Sequence, residues 1–131
     1  MFRKKIKTEP QPLNIDVPNE TVISVGDKTY WVKGGKKYLV PSKRVLDSYG
    51  WRPPVVLTEE AANRIPTSNG KILFRGGTAI RSMVTYEVFL ISDNKRRLVT
   101  SPDTLDALGL DNIVLVSEKE VNMHERGEDI V

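Results

Sequence analysis

Short runs of apolar residues, broken by small polar residues and glycines, dominate the pattern of this chain. Two β-prone runs flank the pair Gly34 and Gly35, and two more flank Asp93 and Asn94 in the second half. Glycine, aspartate and asparagine are the residues that tolerate a positive φ. Both centres are therefore predicted to be hairpin turns.

Each predicted hairpin leads into a short amphipathic stretch with its own start and stop signals. Ser101 is a suitable N-cap, and Gly109 stands where a left-handed C-cap is expected. Leu105 and Leu108 are three residues apart, so they are predicted to share a buried helix face. The same pattern occurs earlier in the chain, at Ser42, Leu46, Tyr49 and Gly50.

A buried strand and a second short helix are predicted to follow each of these stretches. The buried strand candidates are residues 55–57 and 113–116. Thr58 and Ser117 are suitable N-caps, and Ser117 and Glu120 have the spacing of a capping box. One further strand candidate precedes each hairpin, at residues 21–25 and 71–74.

The second half of the chain repeats the first. Residues 29–63 align without a gap on residues 88–122, and ten positions are identical, where background composition gives about two. The identical pairs are Lys36/Lys95, Leu39/Leu98, Val40/Val99, Ser42/Ser101, Leu46/Leu105, Asp47/Asp106, Gly50/Gly109, Val55/Val114, Glu59/Glu118 and Asn63/Asn122. The sequence thus predicts an α+β fold with two tandem copies of a β-hairpin–helix–strand–helix unit.

The predicted organisation has three parts. Residues 1–20 carry three prolines among polar residues and show no periodicity, which is typical of an extended N-terminal arm. Such an arm packs on its own domain or lies on a neighbouring subunit. Repeat unit 1 covers residues 21–69. Repeat unit 2 covers residues 70–131, with an insertion at 76–87 and a polar C-terminal tail.

The stretch YWVKGGKKYLVPSKRVLDSYGW, residues 30–51, resembles a short repeat found in bacterial surface and secreted proteins and in some bacteriophage proteins. The matching residues are Tyr30, Val32, Gly35, Lys36, Lys37, Val40, Pro41, Ser42, Val45, Leu46, Gly50, Trp51, Val55, Val56, Leu57 and Glu59. The second copy departs from the motif at Asn94, Thr100 and Leu110. The resemblance implies a small non-catalytic accessory or structural domain, and it brings no catalytic residue and no known ligand.

Composition and charge restrict the kinds of function that the protein can have. The 131 residues are 39% hydrophobic and 28% charged, which is a normal globular mixture for one domain or two very small ones. The chain has no cysteine, which excludes a disulfide framework, a thiolate metal site and a thiol nucleophile. A net charge of +3 makes any attraction to nucleic acid or lipid local. No apolar run reaches membrane-spanning length, and the start lacks a signal peptide's apolar core, so neither a secretory signal peptide nor membrane insertion is expected.

The residues give little support to enzyme chemistry. His124 is the only histidine, and its polar, near-terminal neighbourhood is typical of an exposed tail residue rather than a general base. The acids that follow it fit no standard metal spacing. Neither glycine pair belongs to a phosphate-loop or dinucleotide pattern. We therefore expect no enzymatic activity, no cofactor and no metal.

Basic residues are the candidates for partner binding. They lie in the arm and just past the two predicted turns, at Arg3, Lys4, Lys5, Lys36, Lys37, Lys95 and Arg96. Tyr30 and Trp31 beside the first turn raise nucleic-acid binding as an alternative, because aromatic rings stack on bases. Strand alternation, however, places one of the two in the core, and basic hairpin ends also prevent strand edges from pairing.

The sequence as a whole predicts a non-catalytic structural protein that assembles with other protein subunits and is oligomeric in its context. The lack of a signal peptide, the small size and the phage copies of the repeat favour a bacteriophage virion component. A small tail or capsid accessory protein, with its arm docked on a neighbouring subunit, fits these features. The alternatives are a binding module at the bacterial cell surface and a small nucleic-acid-binding protein.

Overall fold

The hairpin turns form where the small and polar residues predict them. The computed structural model describes residues 17–50, 52–110 and 112–131. Gly34 and Gly35 have φ angles of 59° and 75°, and Asp93 and Asn94 have φ angles of 52° and 64°. Both turns therefore use the left-handed region, and the predicted backbone demand is confirmed.

The first half of the chain forms a five-stranded mixed sheet. Its strands are β1 (Thr21–Val25), β2 (Lys28–Lys33), β3 (Lys36–Leu39), β4 (Val55–Val56) and β5 (Thr67–Lys71). They lie in the order β4-β1-β2-β3-β5. The three central strands are antiparallel neighbours, while β4 pairs parallel with β1 and β5 pairs parallel with β3. Ile23 faces Tyr30 in one ladder and Val55 in the other.

The second half forms another five-stranded mixed sheet. Its strands are β6 (Ala79–Ser82), β7 (Val88–Ser92), β8 (Lys95–Leu98), β9 (Ile113–Val116) and β10 (Glu125–Arg126). Read from one edge to the other, the order is β9-β6-β7-β8-β10. The three central strands are again antiparallel, and the edge strands β9 and β10 pair parallel with β6 and β8.

Four short helices occur within the described residues, so the fold is mixed α+β as predicted. They are α1 (Lys43–Asp47), α2 (Glu59–Ala62), α3 (Pro102–Leu108) and α4 (Glu118–Val121). Each begins after a hydroxyl N-cap whose side chain accepts a backbone N–H, namely Ser42, Thr58, Ser101 and Ser117. The capping box between Ser117 and Glu120 is present, and Gly109 is a left-handed C-cap. The four N-caps, the capping box and the Gly109 C-cap are thus confirmed. The C-cap expected at Gly50 is wrong, because α1 ends at Ser48 in a right-handed conformation, although Gly50 itself has a φ of 86°.

The described residues fall into two compact units. The first unit comprises residues 17–41 and 52–72, and the second comprises residues 42–50, 73–110 and 112–131. Helix α1 therefore packs in the second unit, although it follows a strand of the first sheet in the chain.

Each unit has its own apolar interior. In the first, the buried cluster is Ile23, Val32, Leu57, Ala61, Ala62 and Ile65, and Val17 packs against it. In the second, the buried apolar residues are Val45, Leu46, Phe74, Ala79, Ile80, Val88, Phe89, Ile91, Val99, Val116 and Val121. Burial of these side chains holds the short helices, because a helix of one or two turns is not stable alone.

One strand lies elsewhere than the sequence predicts. The strand expected at residues 71–74 is replaced by Thr67–Lys71, which pairs with β3, and by β6. Strand β6 lies inside the stretch 76–87 that the sequence presents as an insertion, and it pairs with both β7 and β9. Arg81 interrupts its apolar pattern, so pattern alone does not reveal this strand.

Two expectations of burial are wrong. Leu108 is 38% exposed and no residue of α3 is buried, so Leu105 and Leu108 do not form a buried face. Val55 and Val56 are also exposed, because β4 is a two-residue edge strand rather than a buried one. Of the expected arm, residues 1–20, the structure describes 17–20, where Val17 packs against the first core and the Asn19 side chain accepts the Gly34 N–H at 2.8 Å. Residues 1–16 lie outside the described residues.

The turn geometry predicts a stability difference between two glycines. Replacing Gly35 with alanine places a side chain on a residue at φ 75° and should lower the free energy of unfolding by about 1–2 kcal/mol. The control is Gly70→Ala, because Gly70 has no positive φ and its added Cβ meets Tyr38 at an ordinary distance of 3.7 Å. Urea unfolding followed by circular dichroism measures both. Equal losses in the two variants would contradict the role assigned to the turn.

Candidate interaction surface

Lys36 and Lys37, the two basic residues after the first turn, lie in different environments. Lys36 is exposed, whereas Lys37 is only 5% exposed. The Lys37 Nζ donates hydrogen bonds to the carbonyl oxygens of Ala62 and Ile65, at 3.1 and 2.6 Å. Ala62 is the last residue of helix α2 and Ile65 lies just beyond it, where helix carbonyls lack N–H partners of the regular helical pattern. The Ala62 carbonyl also accepts the Ile65 N–H at 3.0 Å. Lys37 is thus occupied inside the first unit and is not presented to a partner, and its burial lowers its pKa.

Arg96 has the corresponding position after the second turn. Its Nη1 donates to the carbonyl oxygen of Val121, at 3.4 Å, and to that of His124 in a short hydrogen bond. Lys95, just before it, is exposed. In each pair the first cation therefore faces solvent and the second satisfies carbonyls beyond a short helix. The candidates Arg3, Lys4 and Lys5 lie outside the described residues.

His124 is a core residue, so the expectation of an exposed tail histidine is wrong. It is fully buried, and its ring stacks on Phe74 with the ring centroids 6.0 Å apart. Its Nε2 accepts the Phe74 backbone N–H at 3.1 Å, which leaves Nδ1–H to donate to the Asn94 carbonyl at 2.8 Å. Burial, together with the charge of Arg96, lowers its pKa. The imidazole is a neutral internal crosslink.

Glu120 anchors helix α1 in the second unit. Its carboxylate accepts hydrogen bonds from the Ser42 hydroxyl, at 2.8 Å, and from the Arg44 guanidinium, at 2.7 Å. It also accepts the Ser117 backbone N–H that completes the capping box. Burial raises the pKa of Glu120, but these hydrogen bonds outweigh burial and the net pKa is lowered. The local capping box is visible in the sequence, whereas the bonds to α1 are not.

The loop between β6 and β7 exposes large apolar side chains. Met83 is 37% exposed, Val84 68% and Tyr86 67%. We call these three residues the apolar loop. Neighbouring exposed apolar side chains of this kind mark interaction sites on soluble proteins.

Hydrogen bonds to Ser82 hold the backbone of the apolar loop in place. The buried Ser82 hydroxyl donates to Glu118 Oε2 at 2.6 Å and accepts the backbone N–H groups of Val84 and Thr85, both at 3.0 Å. The Tyr86 N–H donates to the Ser82 carbonyl, also at 3.0 Å. The loop is thus pre-organised, which lowers the entropy lost when a partner binds.

Tyr86 carries backbone strain. Its φ is 62°, a region that an aromatic L-residue rarely adopts and that costs about 1–2 kcal/mol. Strain of this kind is found at functional sites more often than elsewhere. The sequence already contains a signal here, since the unmatched stretch 76–87 carries Met, Val and Tyr between polar residues. The partner-binding candidates predicted from the sequence are all basic residues, and they do not include Met83, Val84 or Tyr86.

The remaining polar groups form no metal site in the part of the chain that the structure describes. No three histidine or acidic side chains converge there on a metal-sized position. Within the same residues, no helix is both long and apolar enough to span a membrane.

Comparisons with known proteins add little to this geometry. Neither a family model nor a curated protein sequence matches the chain. One chain of an intact ESX-5 inner membrane complex is similar over 92% of this chain, with 13% identity and a TM-score of 0.33. A chain of the periplasmic assembly of that complex is similar over the same share, with 15% identity and a TM-score of 0.33. This chain spans 32% and 37% of their lengths, and similarity at this level carries no argument about fold or function.

The two neighbouring lysines provide a matched test of the internal cation. Lys37→Met should lower the free energy of unfolding by about 1–3 kcal/mol, because the Ile65 carbonyl loses its donor and the Ala62 carbonyl keeps only the Ile65 N–H. Lys36→Met removes the same charge from an exposed site and should change stability by less than about 0.5 kcal/mol. Thermal melts of both variants measure the difference. A Lys36 variant as unstable as the Lys37 variant would refute the assignment.

His124 predicts a loss of stability in mild acid. Its folded-state pKa lies below the unfolded value of 6.5, so the unfolded chain binds the proton more readily once the pH falls below 6.5. This contribution to the melting temperature should therefore be fully present above that pH and be lost progressively as the pH falls below about 6.5. His124→Gln should be less stable at pH 8 but should lack this slope. An identical slope in the variant would assign it to another group.

Proposed function

We propose that the chain consists of two diverged copies of one unit, as its sequence repeat predicts. Both sheets have three central antiparallel strands and a parallel strand at each edge. Just before β1, the Glu20 N–H donates to the Val32 carbonyl. In the second sheet, the Gly77 N–H, just before β6, donates to the Ile91 carbonyl. Lys37 and Arg96 occupy matching positions, and each donates to backbone carbonyls at the end of a short helix. These parallels support duplication, with helix α1 packed in the unit that follows it.

We further propose that the protein is non-catalytic. The groups that most often act as acids, bases or cation partners are occupied by internal contacts here. Both ring nitrogens of His124 are hydrogen bonded, and Glu120 has three kinds of donor. Lys37 is bound to two carbonyls. A group whose bonds are all made inside the fold is not available to a substrate.

The function that the geometry supports best is assembly with another protein through the apolar loop. The observation that carries this proposal is a rigid, strained loop that exposes Val84 and Tyr86 to about two thirds of their surface. Burying two such side chains on a partner contributes roughly 1.5–3 kcal/mol each. The partner that fits is a protein with an apolar cleft wide enough for an aromatic ring.

The place of this assembly remains a prediction from the sequence. A bacteriophage virion, as a small tail or capsid accessory protein, and the bacterial cell surface both rest on the resemblance of residues 30–51. Docking of the N-terminal arm on a neighbouring subunit is a further part of the same prediction.

A single substitution separates fold from assembly. Tyr86→Gly removes the exposed ring and also relieves the positive φ, so the variant should be at least as stable as the wild type, with a gain of ~0.5 kcal/mol. In extracts of the cells that make the protein, the variant should be found in a smaller complex than the wild type, which we call the native particle. Gradient sedimentation of the particle and a thermal melt of the purified protein measure the two effects.

The control is Asp93→Gly, which relieves a positive φ of 52° at the other end of the same strand without removing an apolar group. The Asp93→Gly variant should form a native particle of wild-type size. Treating the wild-type extract with nuclease should not change the size of the particle either. A Tyr86→Gly variant that retains the wild-type particle would overturn the proposal. Collapse of the particle on nuclease treatment would favour a nucleic-acid partner instead.

A further inference from the structure

The second sheet has one closed face and one open face. Side chains alternate between the two faces along each strand. The closed face carries residues that are at most 4% exposed, namely Ile80, Ser82, Phe89, Ile91 and Val116. On the other face, Arg81 of β6 lies beside Leu115 of the edge strand β9 in the ladder. Leu115 is 47% exposed and Arg81 is only partly buried, so this face is open where β9 forms the edge.

Met83 extends the open face toward the apolar loop. Its N–H donates to the Val116 carbonyl at 2.9 Å, so the ladder continues just past the end of β6. Met83 therefore lies on the same side of the sheet as Arg81. It is 37% exposed and is also a member of the apolar loop. We call Arg81, Met83 and Leu115 the arginine patch, and this patch is continuous with the apolar loop.

Arg81 has no polar partner of its own. Its Nε is buried and has no hydrogen-bond acceptor. The guanidinium also forms no ion pair within residues 17–50, 52–110 and 112–131. The nearest acid along the chain, Glu87, instead accepts the Thr85 hydroxyl at 3.2 Å. Arg96 also has an unpaired Nε, but its Nη1 binds two carbonyls. A partly buried cation without any partner destabilises a fold, so Arg81 requires an explanation.

The charge of the surrounding strands selects an acid as the missing group. Strands β6 to β9 contain the cations Arg81, Lys95, Arg96 and Arg97 and no acidic residue. A second copy that docked through the same patch would place one Arg81 against the other, so a symmetric self-contact is unfavourable. A carboxylate suits the position, because it accepts two parallel N–H bonds from a guanidinium.

We propose that the arginine patch binds a glutamate or aspartate side chain that a protein partner presents between apolar residues. The carboxylate pairs with Arg81, while the apolar residues beside it cover Leu115 and Met83. This inference rests on the proposed assembly through the apolar loop. It deepens that proposal, because it specifies the charge and the residue pattern of the partner segment.

The apolar neighbours make this ion pair stronger than one on an open surface. An ion pair in water contributes little, whereas a pair enclosed by apolar groups is screened less by salt and solvent. The Arg81 Nε is already out of water in the free protein, so binding removes less solvent from the cation. Removing Arg81 leaves the partner carboxylate without a cation, which should weaken binding by at least about tenfold.

Arg81→Met separates binding from folding. The variant keeps an unbranched side chain and removes the unpaired charge, so the purified protein should melt at or above the wild-type temperature. The native particle should nevertheless become smaller than that of the wild type. The matched control is Arg75→Met, which removes the charge of an exposed arginine outside the strands and should change neither property. A wild-type particle in the Arg81→Met variant overturns the proposal. A lower melting temperature also overturns it, because Arg81 would then stabilise the fold itself.

A defined probe tests the patch on the purified full chain. An amphipathic peptide of leucine and glutamate is titrated into ¹⁵N-labelled protein up to about 2 mM. It should shift the amide signals of Met83 and Leu115 and the Nε–H signal of Arg81, with a dissociation constant of about 0.1–1 mM. Arg81→Met should weaken this binding by at least about tenfold on the two amide signals, and Arg75→Met should not.

The control peptide has lysine in place of glutamate and should leave these signals unshifted. Equal binding of the lysine peptide would show apolar capture alone and would overturn the proposal. The absence of shifts with the glutamate peptide, or shifts confined to other residues, would overturn it too.

Failure of this inference can be told from failure of the apolar loop. If Tyr86→Gly reduces the native particle and Arg81→Met does not, the arginine patch fails and assembly through the loop stands. If Arg81→Met reduces the particle and Tyr86→Gly does not, the loop fails and the patch stands. The peptide titration uses purified protein alone and does not depend on the native particle.

Discussion

A cation that binds the carbonyl end of a short helix, buried in the first half and partly buried in the second, is an interaction common to both halves of this fold. Lys37 and Arg96 both extend from the strand after a hairpin turn and reach the carbonyls that follow α2 and α4. A helix of four residues forms almost no internal hydrogen bonds, so its end carbonyls need outside donors.

This constraint removes several side chains from the groups that a partner could contact. Residue types that suggest chemistry or nucleic-acid binding in the sequence, such as Lys37, Arg96 and His124, are occupied by the fold. The groups left exposed include Lys36 and Lys95 and several large apolar side chains. The apolar loop fits this description, because Ser82 uses the backbone of the loop for stability and leaves its side chains free. Rigidity and exposure occur there together.

Local features were predictable from the sequence, and features that depend on distant partners were not. Turn residues, N-caps and the capping box require only neighbours in the chain, so Asp93, Ser42 and Glu120 could be assigned from pattern alone. The burial of His124 depends on Phe74 and Asn94, which are far away in the chain. The apolar loop was recognisable as an unmatched segment, but its exposure and strain follow from hydrogen bonds that no pattern specifies.

The contrast between α1 and α3 shows the same limit in one pair of helices. Their sequences carry the same cap, the same leucine and the same closing glycine, yet only α1 is buried. What differs is the surface beside each helix, so the burial of a two-turn helix is a property of its neighbour rather than of its own sequence.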